Sequence, residues 1–243
     1  MGVEIVKEEN KKLNELKMEP KKVMNRETKA DTFAEGLNFY KLFWIFFIGC
    51  IVGVIVETLF GLIVEHRITS RAGVLYGPFN PVYGFGAVII TLAVYPLRKK
   101  SAWTIFGVCM VVGAIFEIAC SYFQEFCYGT VSWEYSDMPF NILGRTSLLF
   151  AIFWGGLGLT WIKYGYPLLS NSIEKIPKKI ALPITWILIV FMIFNMAISS
   201  VAATRHEARR KGIAPKNKVE IFLDKHYSNE VMDKVYYNAK EVR

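Results

Sequence analysis

The sequence predicts an all-α fold: a polytopic membrane helix bundle of about five transmembrane helices, with an internal two-helix repeat. Composition, block length and charge placement all point there. Hydrophobic residues make up 53% of the 243 and aromatics 15%, and they gather into long blocks nearly free of charge. Those blocks reach the roughly 20 residues a helix needs to cross ~30 Å of hydrocarbon with every backbone N–H paired inside the segment. The 29 Lys and Arg against 21 Asp and Glu (formal charge +8) sit mostly at the ends and in short connectors, where anionic headgroups attract them.

Residues 1–40 read as a polar N-terminal tail dense in Lys and Glu, forming a short surface helix or no fixed structure. The first apolar block starts only after this charged stretch, which is not a signal-peptide layout. The transmembrane domain is expected over residues 41–204. Its first span, 42–64, is opened by Tyr40 and Trp44, which suit the membrane interface. A connector with His66, Arg67 and Arg71 leads to Gly77-Pro78-Phe79-Asn80-Pro81-Val82-Tyr83-Gly84. The second block, 82–97, is short and ends at Arg98, Lys99 and Lys100. The third span is 103–126, a polar and aromatic connector runs over 128–145, and the fourth span is 147–164. A loop over 167–179 precedes the extra helix, 180–203. Residues 205–243 form a basic C-terminal tail, with Arg205, Arg209, Arg210 and Lys211 against lipid headgroups and an amphipathic helix around 219–237.

The basic clusters at 98–100 and 175–179 fall on the N-terminal side, which the positive-inside rule places in the cytoplasm. Five spans then put the basic C-terminal tail outside, against the same rule. The count is therefore bounded at four to six, with the short second block the one whose crossing is in question.

Two stretches match when shifted by sixty residues: Ile51-Val52-Gly53-Val54-Ile55-Val56-Glu57 with Val111-Val112-Gly113-Ala114-Ile115-Phe116-Glu117. Glu65 and Glu125 follow on the same helices. Pro78-Phe79-Asn80 is echoed by Pro139-Phe140-Asn141, and Gly84 by Gly144. The repeat units are about 42–97 and 103–164. Both are entered from the same side, so the repeats are parallel about an axis along the membrane normal.

Glu57 and Glu117 each lie about fifteen residues into a span, at matching depth in the half of the bilayer distal to the N-terminus. A charge at helix centre costs roughly 2.5–3.5 kcal/mol on insertion scales, which a dozen apolar neighbours offset. Two readings stand. The carboxylates face each other across a polar pathway and bind a cation, a proton or a cationic group. Alternatively, each is locked to an arginine, Arg71 or Arg145, for packing and register. Gly53 and Gly113, on the same faces, let helices approach closely there. The Pro- and Gly-rich segment 77–86 is irregular backbone: either a re-entrant or broken-helix element, or a surface loop ending at a helix start. Trp103, Trp133, Trp154, Trp161 and Tyr164 read as interface-belt or packing aromatics.

Other chemistry is excluded by motif. Cys50, Cys109, Cys120 and Cys127 show no CxxC pair, and His66, His206 and His226 are unclustered, so neither a metal nor a cofactor is expected. No nucleic-acid-binding motif appears despite the basic charge. No Gly-x-x-x-x-Gly-Lys-Ser/Thr phosphate loop, His-Glu-x-x-His or Gly-x-Ser-x-Gly is present, so the chain is not expected to bind ATP through such a loop or to be an enzyme.

Long motifs carry a family resemblance. Gly53-x-x-x-Glu57, Leu75-Tyr76-Gly77-Pro78-Phe79-Asn80-Pro81-Val82-Tyr83-Gly84-Phe85-Gly86-Ala87, Trp133-Glu134-Tyr135-Ser136, Pro139-Phe140-Asn141-x-x-Gly144-Arg145 and Trp154-Gly155 resemble the ABC-transporter type IV family, the CmpB-type bacterial membrane proteins. The likeness runs from about residue 42 to 161. It implies a multi-pass permease-like transport component of a bacterial cytoplasmic membrane, in contact with lipid and with a separate ATPase subunit. On that reading the substrate pathway comprises Glu57, Glu117, Asn80, Asn141, Arg145, Arg71 and Tyr83. Substrate, energy source and oligomeric state stay open. The reading from a different class is a non-transporting scaffold, sensor or regulator acting through its tails.

Overall fold

The structure, a computed structural model, describes residues 33–241. The polar tail expected over residues 1–40 lies outside them except for its last few residues. Among the described residues, four helical stretches are long and apolar enough to cross a membrane: Phe39–Val64, Ala102–Tyr128, Leu148–Glu174 and Lys178–Arg210. The short second block, Pro81–Val94, is not. The fold is thus an all-α polytopic bundle with four long apolar helices.

Helix α1 (Phe39–Glu65) is capped by Asn38, whose side chain accepts the Lys41 N–H at 2.9 Å, and it stops where His66 turns left-handed. Helix α2 (Pro81–Val94) begins on Asn80, whose side chain accepts the Val82 N–H at 3.1 Å, with Pro81 in the first turn where its missing N–H costs nothing. Helix α3 (Ala102–Tyr128) runs from a Ser101 cap to Gly129 at φ 63°. Helix α4 (Leu148–Thr160) passes through a wide turn, Trp161–Gly165, into α5 (Tyr166–Glu174). The loop expected from Pro167 onward is therefore helix as far as Glu174. The wide turn, closed by the Tyr166 N–H on the Trp161 carbonyl, absorbs the proline that would otherwise break the ladder. Helix α6 (Lys178–Arg210) is the longest, and the short α7 (Lys218–His226) and α8 (Asn229–Val235) fold back from it.

Long helices pair with the helices that follow them: α1 lies along α2, and α3 along α4. The central cluster of Ile45, Ile90, Val94, Ile105, Cys109, Ile162 and Tyr166 joins the two pairs. A second cluster, Phe46, Cys50 and Met192, seats α6 against α1. The outward faces stay apolar and uncovered, as with Ile63, Phe123 and Phe126, which is the surface that acyl chains cover. At the N-terminal end Lys41 is fully buried and ion-paired with Glu174 beside Ser170, tying α1 to α5.

The connector from α1 to α2 does not stay at the helix ends. The Asn80 N–H donates to the Cys50 carbonyl at 3.1 Å, and Cys50 is near the middle of α1. Irregular backbone at that height must find partners within the protein. Buried Asn195 on α6 supplies them, accepting the Tyr76 N–H at 3.1 Å and donating to the Tyr76 carbonyl at 2.7 Å, while Ser199 accepts the Leu75 N–H at 2.9 Å. Within segment 77–86, Asn80 is thus tied to the middle of α1, while Gly77 and Pro78 are exposed.

The connector from α3 to α4 holds two small antiparallel pairs: β1 (Thr130–Val131) with β4 (Lys240–Glu241), and the hairpin β2 (Asn141–Ile142) with β3 (Thr146–Ser147). The hairpin turns on Leu143 and Gly144, both left-handed, with Asn141 accepting the Gly144 N–H at 3.1 Å. The same end of the bundle carries α7 and α8, where Leu223, Tyr227 and Met232 pack on Ala202. Arg205 and Arg209 both pair with Asp224 and, by hydrogen bonding, hold its carboxyl down at about 2. These two arginines thus meet a carboxylate of the chain itself where the sequence reading expected lipid headgroups.

Candidate functional site

Glu57 and Glu117 are each built into the same small arrangement of side chains. On α1, Gly53 has no side chain, and the ring of Tyr83 from α2 occupies that space; a Cβ there would overlap the ring. The Tyr83 hydroxyl donates to Glu57 Oε2, one turn along α1. On α3, Gly113 is covered in the same way by the ring of Trp154 from α4, and the Trp154 side chain hydrogen-bonds Glu117 one turn along. A glycine, a carboxylate one turn on, and an aromatic from the following helix that fills the first and bonds the second thus occur on both long helices.

Around this shared core the two carboxylates differ. Arg71, its side chain 8% exposed, reaches Glu57 Oε1 at 3.4 Å. Its guanidinium lies over Gly61, where a Cβ would stand 2.6 Å from Nη2. Asn80 donates to the Arg71 carbonyl at 3.1 Å and so fixes the backbone that aims this arginine. Arg145 does not pair with Glu117. It pairs with Glu125 and donates to Ser121 Oγ at 2.9 Å, with its guanidinium 4.9 Å from the Tyr122 ring centre. Glu117 instead accepts from Thr146 Oγ1 at 2.6 Å and from the Tyr135 hydroxyl at 3.5 Å. Asn141 donates to the carbonyls of Ser136 and Met138, at 3.1 and 2.8 Å, and so holds the connector that carries Tyr135.

Tyr135 links the two halves. Burial pushes its hydroxyl well above the ordinary tyrosine range, helped by the charge of Glu117 and the hydrogen bond to it, and also by the charge of Glu57. Tyr83 in turn lies within electrostatic reach of Tyr135. Glu57 with Tyr83 and Glu117 with Tyr135 are therefore two neighbouring polar pairs. Phe150 stacks on Tyr135 at 4.3 Å between ring centres and closes one side.

Of the seven residues singled out in the sequence, Glu57, Arg71, Asn80 and Tyr83 come together, with Glu117 next to them through Tyr135. Arg145 and Asn141 support the second half without touching Glu117. Tyr135, Thr146 and Trp154 were missed as partners. Trp154 reads in the sequence as a belt or packing aromatic, and packing on Gly113 is what it does. Gly61 and Ser121, sixty residues apart like the glutamates, were the further small residues on that face that make room for guanidinium groups. Among the described residues no group of His, Cys, Asp and Glu side chains is placed to hold a metal ion. The arrangement can stabilise one positive charge within a helix bundle.

A family model described as Putative ABC-transporter type IV matches residues 44–200. That stretch contains every side chain of the arrangement above. No curated protein and no solved structure matches the chain.

Proposed function

We propose that Glu57 and Glu117 line the pathway of this chain, which belongs to the ABC-transporter type IV family and is a permease-like component of membrane transport. The observation that supports this is that Glu57 and Glu117 each accept a hydrogen bond from a tyrosine, Tyr83 and Tyr135, and that these two tyrosines lie within electrostatic reach of each other. Arg71 balances Glu57, Asn80 and Asn141 hold the two connectors, and Arg145 holds the wall at Glu125.

We infer further that the two helix pairs are a duplication. The Gly53 and Gly113 arrangements support it, as does the common offset of Gly61 and Ser121 beneath the two guanidinium groups. On this reading residues 66–80 enter the membrane and leave it as α2. Connector and half-length helix together then make the fifth crossing, with the two chain ends on opposite sides. The domain layout is a transmembrane unit over 41–204 flanked by a polar N-terminal tail and a basic C-terminal one. A separate ATPase would dock on the cytoplasmic end, where Arg98, Lys99 and Lys100 stand with Lys175, Lys178 and Lys179.

In cells whose growth depends on this chain, Glu57→Gln and Glu117→Gln are each expected to lower transport about ten-fold or more at unchanged protein level. That is the loss expected when a charged hydrogen bond worth roughly 1.5–3 kcal/mol is removed from the pathway. Full transport in the double variant would refute the pathway.

A further inference from the structure

The two carboxylates have unequal company. Glu57 has the Arg71 guanidinium at 3.4 Å. The cation in the second half, Arg145, is engaged instead by Glu125 and Ser121. Glu117 is left with three neutral donors: Thr146 Oγ1 at 2.6 Å, the Tyr135 hydroxyl at 3.5 Å and the Trp154 side chain. Among the described residues, the other titratable groups within reach of Glu117 do not supply a positive charge. Cys120 on its own helix feels Glu117, Tyr83 stands beyond Tyr135 on α2, and Glu57 on α1 is itself an anion. A carboxylate at membrane depth among aromatic side chains is costly as an isolated anion, which favours uptake of a proton.

We propose that Glu117 is the proton-binding group of this protein, alternately neutral and ionised. This rests on the pathway reading only in linking the proton to transport; the binding itself does not need it. A proton fits where a metal ion does not. Calcium or magnesium takes six or more oxygen ligands, whereas Glu117 offers one carboxylate whose oxygens already accept three hydrogen bonds. A proton needs one acceptor, and the Thr146 hydroxyl supplies it because a hydroxyl can turn from donor to acceptor. With Glu117 ionised, Thr146 donates to Oε2. When a proton from water binds Oε2, the new O–H donates to Thr146 Oγ1, and the Thr146 hydrogen turns away. Release returns the proton to water and restores the first arrangement. No bond to carbon changes and no electron moves.

The test is infrared difference spectroscopy on the purified full chain in lipid nanodiscs, between alkaline and acidic buffer. The expected result is a carbonyl band of a protonated carboxylic acid that moves on deuteration, is lost in Glu117→Gln and persists in Glu57→Gln. Thr146→Val and Tyr135→Phe keep the carboxylate and are expected to shift the band without removing it, which serves if Glu117→Gln fails to fold. A missing band in the unaltered protein, a band that survives Glu117→Gln or vanishes in Glu57→Gln, or a band that neither partner substitution moves would overturn the proposal. If the band behaves as expected while both Gln variants transport normally, the pathway reading fails and the proton site stands.

Discussion

Gly53→Leu and Gly113→Leu are each expected to leave little folded protein. At both positions a Cβ alone would overlap an aromatic ring, Tyr83 in the first case and Trp154 in the second, so the helix pair must separate to admit even alanine. Overpacking of a seated core costs roughly 1–3 kcal/mol, and a leucine driven into a ring lies at or above the top of that range. Each ring also carries the hydrogen bond to its carboxylate, so displacing it removes a partner from Glu57 or Glu117 as well. Gly107 and Gly156 provide the control, because nothing lies within 4 Å of a Cβ built on either. There, leucine is expected to be neutral or to gain up to about 1 kcal/mol from helix propensity. Thermal unfolding midpoints of detergent-purified variants separate the two classes. Equal behaviour at all four sites would mean that the rings are not seated on Gly53 and Gly113.

Removal of Arg71 is the second large effect. Arg71→Ala takes from Glu57 the guanidinium that stands 3.4 Å away. Breaking a buried pair from one side costs roughly 3–5 kcal/mol, because the remaining charge is uncompensated. The Glu57 side chain is 26% exposed, which places this case toward the lower end. The double variant Arg71→Ala/Glu57→Gln is expected to recover most of the loss, since the carboxamide needs no counter-charge. Arg71→Lys recovers less, because an ammonium lacks the planar fork that spans from Gly61 to Glu57. A double variant no more stable than Arg71→Ala would show that Arg71 acts through other partners.

How much of this was legible in the sequence depended on the range of the interaction. Asn80-Pro81 announced the start of α2, because an asparagine cap and a proline in the first turn are local signals that no distant contact needs to complete. Gly53 and Gly113 were readable as close-approach sites, since a glycine inside an apolar helix has few other uses. What sits in the space was not readable, because Tyr83 and Trp154 arrive at different offsets, thirty and forty-one residues on. The pairing of Arg71 with Glu57 was one of two readings, and the parallel pairing of Arg145 with Glu117 was not formed. The hairpin Asn141–Ser147 turns Arg145 toward Glu125 and places Thr146 at Glu117 instead, a consequence of two consecutive left-handed residues that a short polar stretch does not advertise. Pro167 misled in the opposite direction. Its usual meaning is the end of a helix, and only the wide turn before it allows α4 to continue into α5.

On the proposed pathway, Glu57 and Glu117 face water-accessible polar space inside the bundle while the residues beside them face lipid. Single cysteines at positions 57, 117, 55 and 115 test it, placed in a protein whose Cys50, Cys109, Cys120 and Cys127 have been replaced. Ile55 and Ile115 lie on the outward face, 51% and 61% exposed, where acyl chains cover them. A charged, membrane-impermeant thiosulfonate reacts with a thiolate in water and not with a thiol in hydrocarbon. Glu57→Cys and Glu117→Cys are expected to be labelled in intact membranes, with Ile55→Cys and Ile115→Cys unreactive. Cysteines at 57 and 117 as inert as those at 55 and 115 would contradict the proposed pathway.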